Sequence, residues 1–270
     1  MNKNEYDLSI IIISWKMKDL LKVCLASIYK YTDGLSYEII LVDNYSEDGT
    51  IDMVEKIFPN VYLIKNSQNR GVAPARNQGL KIAKGKYILI LDADMELIEN
   101  SILSLYQFME RTPDCGMVGA KLVDSDKYTQ YSCKRFPSIM ALIYRRLEYF
   151  TFIKESKLLN YHLMKEWDHN SIREVDYLIG ACQFFLREIK DKIGLYDDKI
   201  FYGPEDIDYC LRIWKAGWKV YYYPFTKIIH YEQRITKRNP FSPLVYSFGC
   251  SYSPLVNGHT SLALEQPRLR

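Results

Sequence analysis

Asp92-Ala-Asp94 follows the apolar run Tyr87-Ile-Leu-Ile-Leu91. Carboxylates at i and i+2 project to one side of an extended chain. At the carboxyl end of a buried strand they can hold a hard divalent cation through oxygen. A solvated turn is the ordinary alternative for such a triplet. A second acidic pair, Glu205 and Asp206, follows Gly203-Pro204. Proline pre-sets the first helical turn, so both carboxylates fall at a helix N-terminus. The helix dipole there favours the ionised form, which suits a ready base. His230 closes the apolar pair Ile228-Ile229. Its imidazole is either a third metal ligand or a structural ring.

Two further segments carry groups suited to a nucleotide. In Val42-Asp-Asn-Tyr-Ser-Glu-Asp-Gly-Thr50, Asp43 ends a strand. Ionised Asp is acceptor-only and could take the imide N–H of a pyrimidine base, while Ser46 or Asp48 caps the following helix. In Asn69-Arg-Gly-Val-Ala-Pro-Ala-Arg-Asn-Gln-Gly79, Gly71 lets the backbone approach a ligand. Arg76, inside a helix beginning near Val72, either faces a nucleotide or lies on the surface. Asp208 and Arg212 stand at i, i+4 and suit a local ion pair. Neither GxGxxG nor GxxxxGK[ST] occurs, which argues against a dinucleotide oxidoreductase or a P-loop NTPase.

These groups need a scaffold, and the first half alternates strand and helix signals. Leu8–Ile13, Glu38–Val42, Val61–Ile64 and Tyr87–Leu91 read as buried strands. Helices are expected from Leu21 to Ile28, Asp48 to Phe58, Ala73 to Ala83 and Ile102 to Met109. Repeated β-α units imply a parallel sheet with helices on both faces and ligands beyond the strands' carboxyl ends. Later, Val175–Leu178 and Cys182–Leu186 read as strands. A helix starts at Pro204, with Ile207, Cys210, Leu211 and Trp214 on one face. Trp218–Tyr223 is a strand that Pro224 should stop. Lys134–Lys165 reads as helices beside the active site, with a local charge of +5. That segment is either a solvated face over core aromatics or part of an acceptor groove near anionic lipid.

Composition narrows the class. In 270 residues, 36 Lys+Arg stand against 33 Asp+Glu, a net +3 that speaks against nucleic-acid binding. The chain has 23 tyrosines, most of them expected in strands, with Tyr202 and Tyr131 candidates for sugar contact. Six scattered cysteines without a CxxC pair read as buried thiols in a reducing cytosol. The apolar run at 8–13 is too short to span a bilayer and lacks a basic flank, so no leader is expected.

In order, VDNYSEDGT, NRGVAPARNQG, LILDADMEL, GPEDIDYCLR and a late His resemble the family 2 glycosyltransferases of GT-A fold. GACQFFLREIKDKIGLYDDKIFYGPEDIDYCLRIWKAGW, with QRITKRNPFS, is most similar to the bacterial rhamnosyltransferase-like branch, which makes cell-surface polysaccharide. The resemblance implies an α/β fold: a Rossmann-like, mostly parallel central sheet flanked by helices, with a smaller acceptor-side subregion. It divides the chain into a nucleotide-sugar-binding half at 1–120 and an acceptor and catalytic-base half at 121–240 of the same domain. Residues 241–270 form a tail expected to be poorly ordered or foreign to the fold.

It implies that Asp43 and Arg76 hold the base, and that Asp92 lies near ribose and metal. Asp94 and His230 would bind Mg²⁺ or Mn²⁺, and Asp206 would be the catalytic base with Glu205 beside it. Arg212 and residues around Arg234 would face the diphosphate. The implied reaction is inverting, metal-dependent transfer of a sugar, rhamnose from dTDP-rhamnose first and UDP-sugars next. The acceptor is a glycan or polyprenyl-diphosphate-linked hydroxyl. The implied setting is the cytoplasm, with peripheral contact at the inner face of the plasma membrane. A non-catalytic sugar- or nucleotide-binding module and a sugar-nucleotidyltransferase stay open as alternatives. Ser14-Trp15-Lys16 departs from the Asn-Tyr-Asn often found in relatives, and the tail lacks the branch's helical continuation.

Overall fold

Four consecutive isoleucines, Ile10 to Ile13, lie in a strand that is covered on both faces. The computed structural model describes residues 5–147 and 150–232, so the expectations for Arg234 and for 241–270 lie outside the described residues. The chain opens β1 (Tyr6–Ser14), α1 (Lys18–Tyr31), β2 (Tyr37–Asp43), α2 (Thr50–Ile57), β3 (Tyr62–Lys65), α3 (Val72–Ile82) and β4 (Gly85–Asp92). It continues with β5 (Met95–Leu97), α4 (Ser101–Arg111), β6 (Cys115–Val123) and β7 (Cys133–Lys134). Then come α5 (Ile139–Arg146), α6 (Thr151–Lys154), α7 (Lys157–His162), β8 (Arg173–Glu174) and β9 (Tyr177–Leu178). It closes with β10 (Cys182–Leu186), α8 (Arg187–Ile193), α9 (Glu205–Lys215) and β11 (Lys219–His230).

Nine strands form one sheet in the order β3-β2-β1-β4-β10-β6-β11-β5, with β8 on β11. The first four strands of that path run parallel. β10 enters antiparallel between β4 and β6, and β11 runs parallel to β6. Alternation along β1 divides the core into two layers. Ile10 and Ile12 pack with Leu21, Cys24, Leu25 and Ile28 of α1 and with Ile102 and Leu105 of α4. Ile11 packs in the opposite layer with Ala73 and Leu80 of α3 and Tyr209, Cys210 and Ile213 of α9. Each such fully buried aliphatic side chain contributes about 1.5–3 kcal/mol. The mixed, mostly parallel sheet flanked by helices is the expected α/β architecture. Cys24, Cys115, Cys133, Cys182 and Cys210 are buried free thiols. Among the described residues no helix is long and apolar enough to cross a membrane.

Three features depart from the sequence reading. The fully buried β6 was not anticipated: Gly116 and Gly119 dilute its apolar pattern. The short strand β5 separates Asp94 from the next helix. The strand after α9 does not stop at Pro224 but runs on to His230. Its register with β6 shifts between Tyr223 and Lys227, so Pro224 lies in a bulge that needs no ladder N–H.

Candidate active site

β1, β2 and β4 deliver their last residues to one edge of the sheet. Ser14 is in register with Asp43, and Ile13 with Asp92, so β1 stands between the two carboxylates. Asp43 is fully buried, and its Oδ2 accepts from the Ser46 amide at 3.1 Å. Its Oδ1 and the Ser14 hydroxyl are buried without a hydrogen-bond partner. An unmet buried carboxylate oxygen costs about 1–3 kcal/mol or more, and an incoming N–H would remove that cost. Asn44 links this strand end to the next loop. Its Nδ2 donates to Asn69 Oδ1 at 2.9 Å and to the Gly71 carbonyl at 3.1 Å. Gly71 has φ +89°, and a Cβ there would stand 2.5 Å from the Phe201 carbonyl oxygen. Glycine thus lets the segment leading into α9 close over the start of α3.

Asp92-Ala-Asp94 forms the turn from β4 into β5. β5 pairs antiparallel with β11, and His230 lies opposite Met95. That register brings a residue from the far end of the chain beside Asp94, with His230 Nε2 3.6 Å from Asp94 Oδ1. Asp92, Asp94 and His230 each offer one ligand atom, all within 4.8 Å of one another. Gln130 fixes the ring. Its Nε2 donates to the His230 carbonyl at 2.8 Å, which turns its Oε1 to His230 Nδ1, also at 2.8 Å. Nδ1 is thereby tied to Gln130, and Nε2 is the ring nitrogen that faces Asp94. Two carboxylate oxygens and one imidazole nitrogen suit Mg²⁺ or Mn²⁺.

The resemblance puts Arg76 at the nucleotide base; in the fold its guanidinium lies inward, against Asp92 and Glu205. It is 2% exposed. Its Nη2 lies 3.2 Å from Asp92 Oδ1 and donates to the Gly180 carbonyl at 2.9 Å. Its Nη1 donates to Glu205 Oε1 at 3.1 Å. A Cβ at Gly180 would stand 2.5 Å from the guanidinium nitrogens, so this glycine makes room for the arginine. Burial acts to discharge Arg76, but Asp92 and Glu205 overcome it and raise its pKa. Burial raises the Asp92 pKa against the pull of Arg76. Burial, then the neighbouring Asp206, pushes Glu205 up to about 7.

Glu205 Oε2 is buried without a partner. Asp206, half-buried on the same first turn of α9, accepts from the Ile207 amide at 2.8 Å. Arg212 makes the local ion pair that its i, i+4 spacing from Asp208 implies. It donates to Asp208 Oδ2 at 2.9 Å and to the Ile193 carbonyl at 2.7 Å, so it ties α9 to the end of α8. Tyr202 is exposed in the segment before α9, and Tyr131 is exposed against the edge of His169.

Sequence reasoning missed Gln130 and Gly180. Gln130 lies in Tyr128-Thr-Gln-Tyr-Ser132, a polar stretch without motif. Gly180 left a signal, the Gly-Ala break between two strands, but its partner is distant in sequence.

The sequence model of the family described as Glycosyl transferase family 2 matches residues 9–191. N-acetylglucosaminyl-diphospho-decaprenol L-rhamnosyltransferase of Mycobacterium tuberculosis is 25% identical over 241 residues, covering 82% of this chain and 75% of that protein. The UDP-Glc:alpha-D-GlcNAc-diphosphoundecaprenol beta-1,3-glucosyltransferase WfaP of Escherichia coli is 40% identical over 103 residues, covering 38% of this chain and 41% of its own. Among solved structures, GalNAc-T7 with UDP, GalNAc and Mn²⁺ matches with TM-score 0.61 at 19% identity, covering 85% of this chain and 44% of that one. The mannosyltransferase PcManGT of Pyrobaculum calidifontis, in complex with GDP-Man and Mn²⁺, matches with TM-score 0.59 at 19% identity, covering 90% and 69%. With the family match running from β1 through most of α8, and with the fold of solved GT-A enzymes, this chain belongs to the family 2 glycosyl transferases.

Proposed function

We propose that this protein transfers a sugar from a nucleotide-sugar to a hydroxyl of a polyprenyl-diphosphate-linked saccharide, inverting the anomeric centre. The observation that carries the reading is the meeting of Asp92, Asp94 and His230 beside the first turn of α9, with Arg76 between Asp92 and Glu205. The unmet Oδ1 of Asp43 accepts the imide N–H of thymine or uracil, which both bases present. Asp94, Asp92 and His230 would hold Mg²⁺ or Mn²⁺, whose chemistry is to neutralise charge on the departing diphosphate. Asp206 takes the proton of the acceptor hydroxyl as that oxygen attacks the anomeric carbon. The new C–O bond forms opposite the breaking bond to the nucleoside diphosphate. Glu205 and Arg76 hold the turn that presents Asp206.

The mycobacterial relative's name supports rhamnose as the sugar and a polyprenyl diphosphate as the carrier. The WfaP name makes UDP-glucose the second donor to try. A lipid-linked acceptor would hold the protein at the inner face of the plasma membrane.

The test incubates the protein with dTDP-rhamnose or UDP-glucose, a short-chain GlcNAc-diphospho-polyprenyl analogue and Mg²⁺ or Mn²⁺. Release of nucleoside diphosphate with an inverted glycosidic product is expected, and chelation with EDTA should abolish it. Released pyrophosphate would make the protein a nucleotidyltransferase. Donor binding without turnover on any acceptor would make it a binding module.

A further inference from the structure

The helices α5, α6 and α7 pack on one another and carry both buried and exposed apolar side chains. Ala141, Ile153 and Leu159 are buried inward. On the outside, Ile139 is 79% exposed and Phe152 is 74% exposed. Met140 and Ile143 are also exposed, and with Ile139 they make an i, i+1, i+4 stripe on α5. Phe150 and Phe152 stack at 5.7 Å, so the exposed rings form a common ledge. Water is a poor neighbour for this surface.

We infer that the outer face of α5 and α6 is a docking surface for an anionic phospholipid bilayer. The inference deepens the proposed function and rests on its lipid-linked acceptor. Charge selects the occupant. Residues 134–165 carry +5. Arg135 within that count is paired with Glu166, while Lys154 and Lys157 are exposed at and just after the end of α6 with the exposed Glu155 between them. An acidic headgroup layer over a hydrocarbon layer complements basic groups beside exposed Phe and Ile. A second copy of the chain would bring the same positive charge to the contact and be repelled.

The ledge is also joined to the site. Phe136, just ahead of α5, stacks on Tyr177 of β9 at 6.2 Å. Ile179, directly after β9, donates to the Ser132 carbonyl at 2.9 Å. The next carbonyl, of Gly180, holds Arg76. These contacts tie the segment ahead of α5 to the loop whose carbonyl holds Arg76.

Flotation of the full chain with phosphatidylcholine vesicles, with and without about 30% phosphatidylglycerol, tests this. Binding is expected to the anionic vesicles at low salt and to fall steeply as salt rises. The variant Ile139→Ser/Phe152→Ser should lower vesicle binding on the order of tenfold. Its melting temperature, and its transfer to a water-soluble acceptor analogue, should stay unchanged. Lys154→Glu/Lys157→Glu should weaken binding mainly at low salt. Absence of flotation at low salt, or equal flotation by the serine variant, overturns the inference. So does a dimer in light scattering that the serine variant dissociates. Flotation without any transfer to lipid or soluble acceptors would instead overturn the proposed function and leave the surface standing.

Discussion

Gln130 grips His230 at two points, donating to its carbonyl and accepting from its Nδ1, both at 2.8 Å. This fixes both the end of β11 and the orientation of a ring that faces Asp94. Replacing Gln130 with Leu removes both bonds and frees the ring to rotate. Mn²⁺ affinity, read by calorimetry without substrate, should fall by roughly 10- to 100-fold. Unchanged affinity would separate Gln130 from the metal centre.

Arg76 is the shared cation of Asp92 and Glu205. Arg76→Met would leave the buried Glu205 and the half-exposed Asp92 without their counter-charge, and breaking the buried Arg76–Glu205 pair costs about 3–5 kcal/mol. Urea unfolding should show that loss. Gly180→Ala should act through the same arginine, since its methyl group would occupy the guanidinium's place. The two variants combined should lose less than the sum of their separate losses. Additive losses would mean that Gly180 serves something other than Arg76.

The pKa of Glu205 predicts an unusual pH dependence. Burial holds its folded pKa near 7, above the ordinary value of 4.5. Between those values the folded state binds more protons than the unfolded state. Stability from this group is therefore full below the unfolded pKa and is lost as pH rises through about 7. In EDTA, the melting temperature should fall by about 3 °C or more between pH 5 and 8. Glu205→Gln should flatten that slope, and an unchanged slope would assign it to another group.

Asp206 and Arg212 share a helix but should respond differently. Asp206→Asn should lower kcat by about 10²- to 10⁴-fold while donor Kd stays within about twofold. Arg212→Gln should cost about 1 kcal/mol of stability and leave donor Kd unchanged, because its bonds run to Asp208 and Ile193. A large loss of donor affinity in Arg212→Gln would return that residue to the diphosphate.

What the sequence disclosed followed the range of each interaction. Strands β1, β2 and β4 were legible because runs such as Ile10 to Ile13 are uniformly apolar. Helix α9 was legible from Pro204 and its apolar face. The two carboxylates of the Asp92-Ala-Asp94 turn were local and visible. The strand β6 was hidden because its glycines weaken the pattern while close packing, not side-chain bulk, buries it. The inward turn of Arg76 was illegible for a related reason. Its partners, Asp92, Gly180 and Glu205, come from three separate elements, and only the antiparallel insertion of β10 brings Gly180 beside it. Pro224 misled because a rule for regular ladders was applied where the ladder has a bulge.

The place of β10 in the sheet also governs how the chain can be made. β6 has its strand partners in β10 and β11, both later in sequence. A nascent chain ending near residue 120 would thus hold β6 without a neighbour and β4 with one open edge. The sheet closes only after β10 and β11 have left the ribosome. Early collapse must keep those edges from pairing with other chains, and the sheet depends on strand pairings that are long-range in sequence. The same fact makes the molecule resistant to dissection: fragments divided near residue 120 and expressed apart would each carry an unfinished sheet.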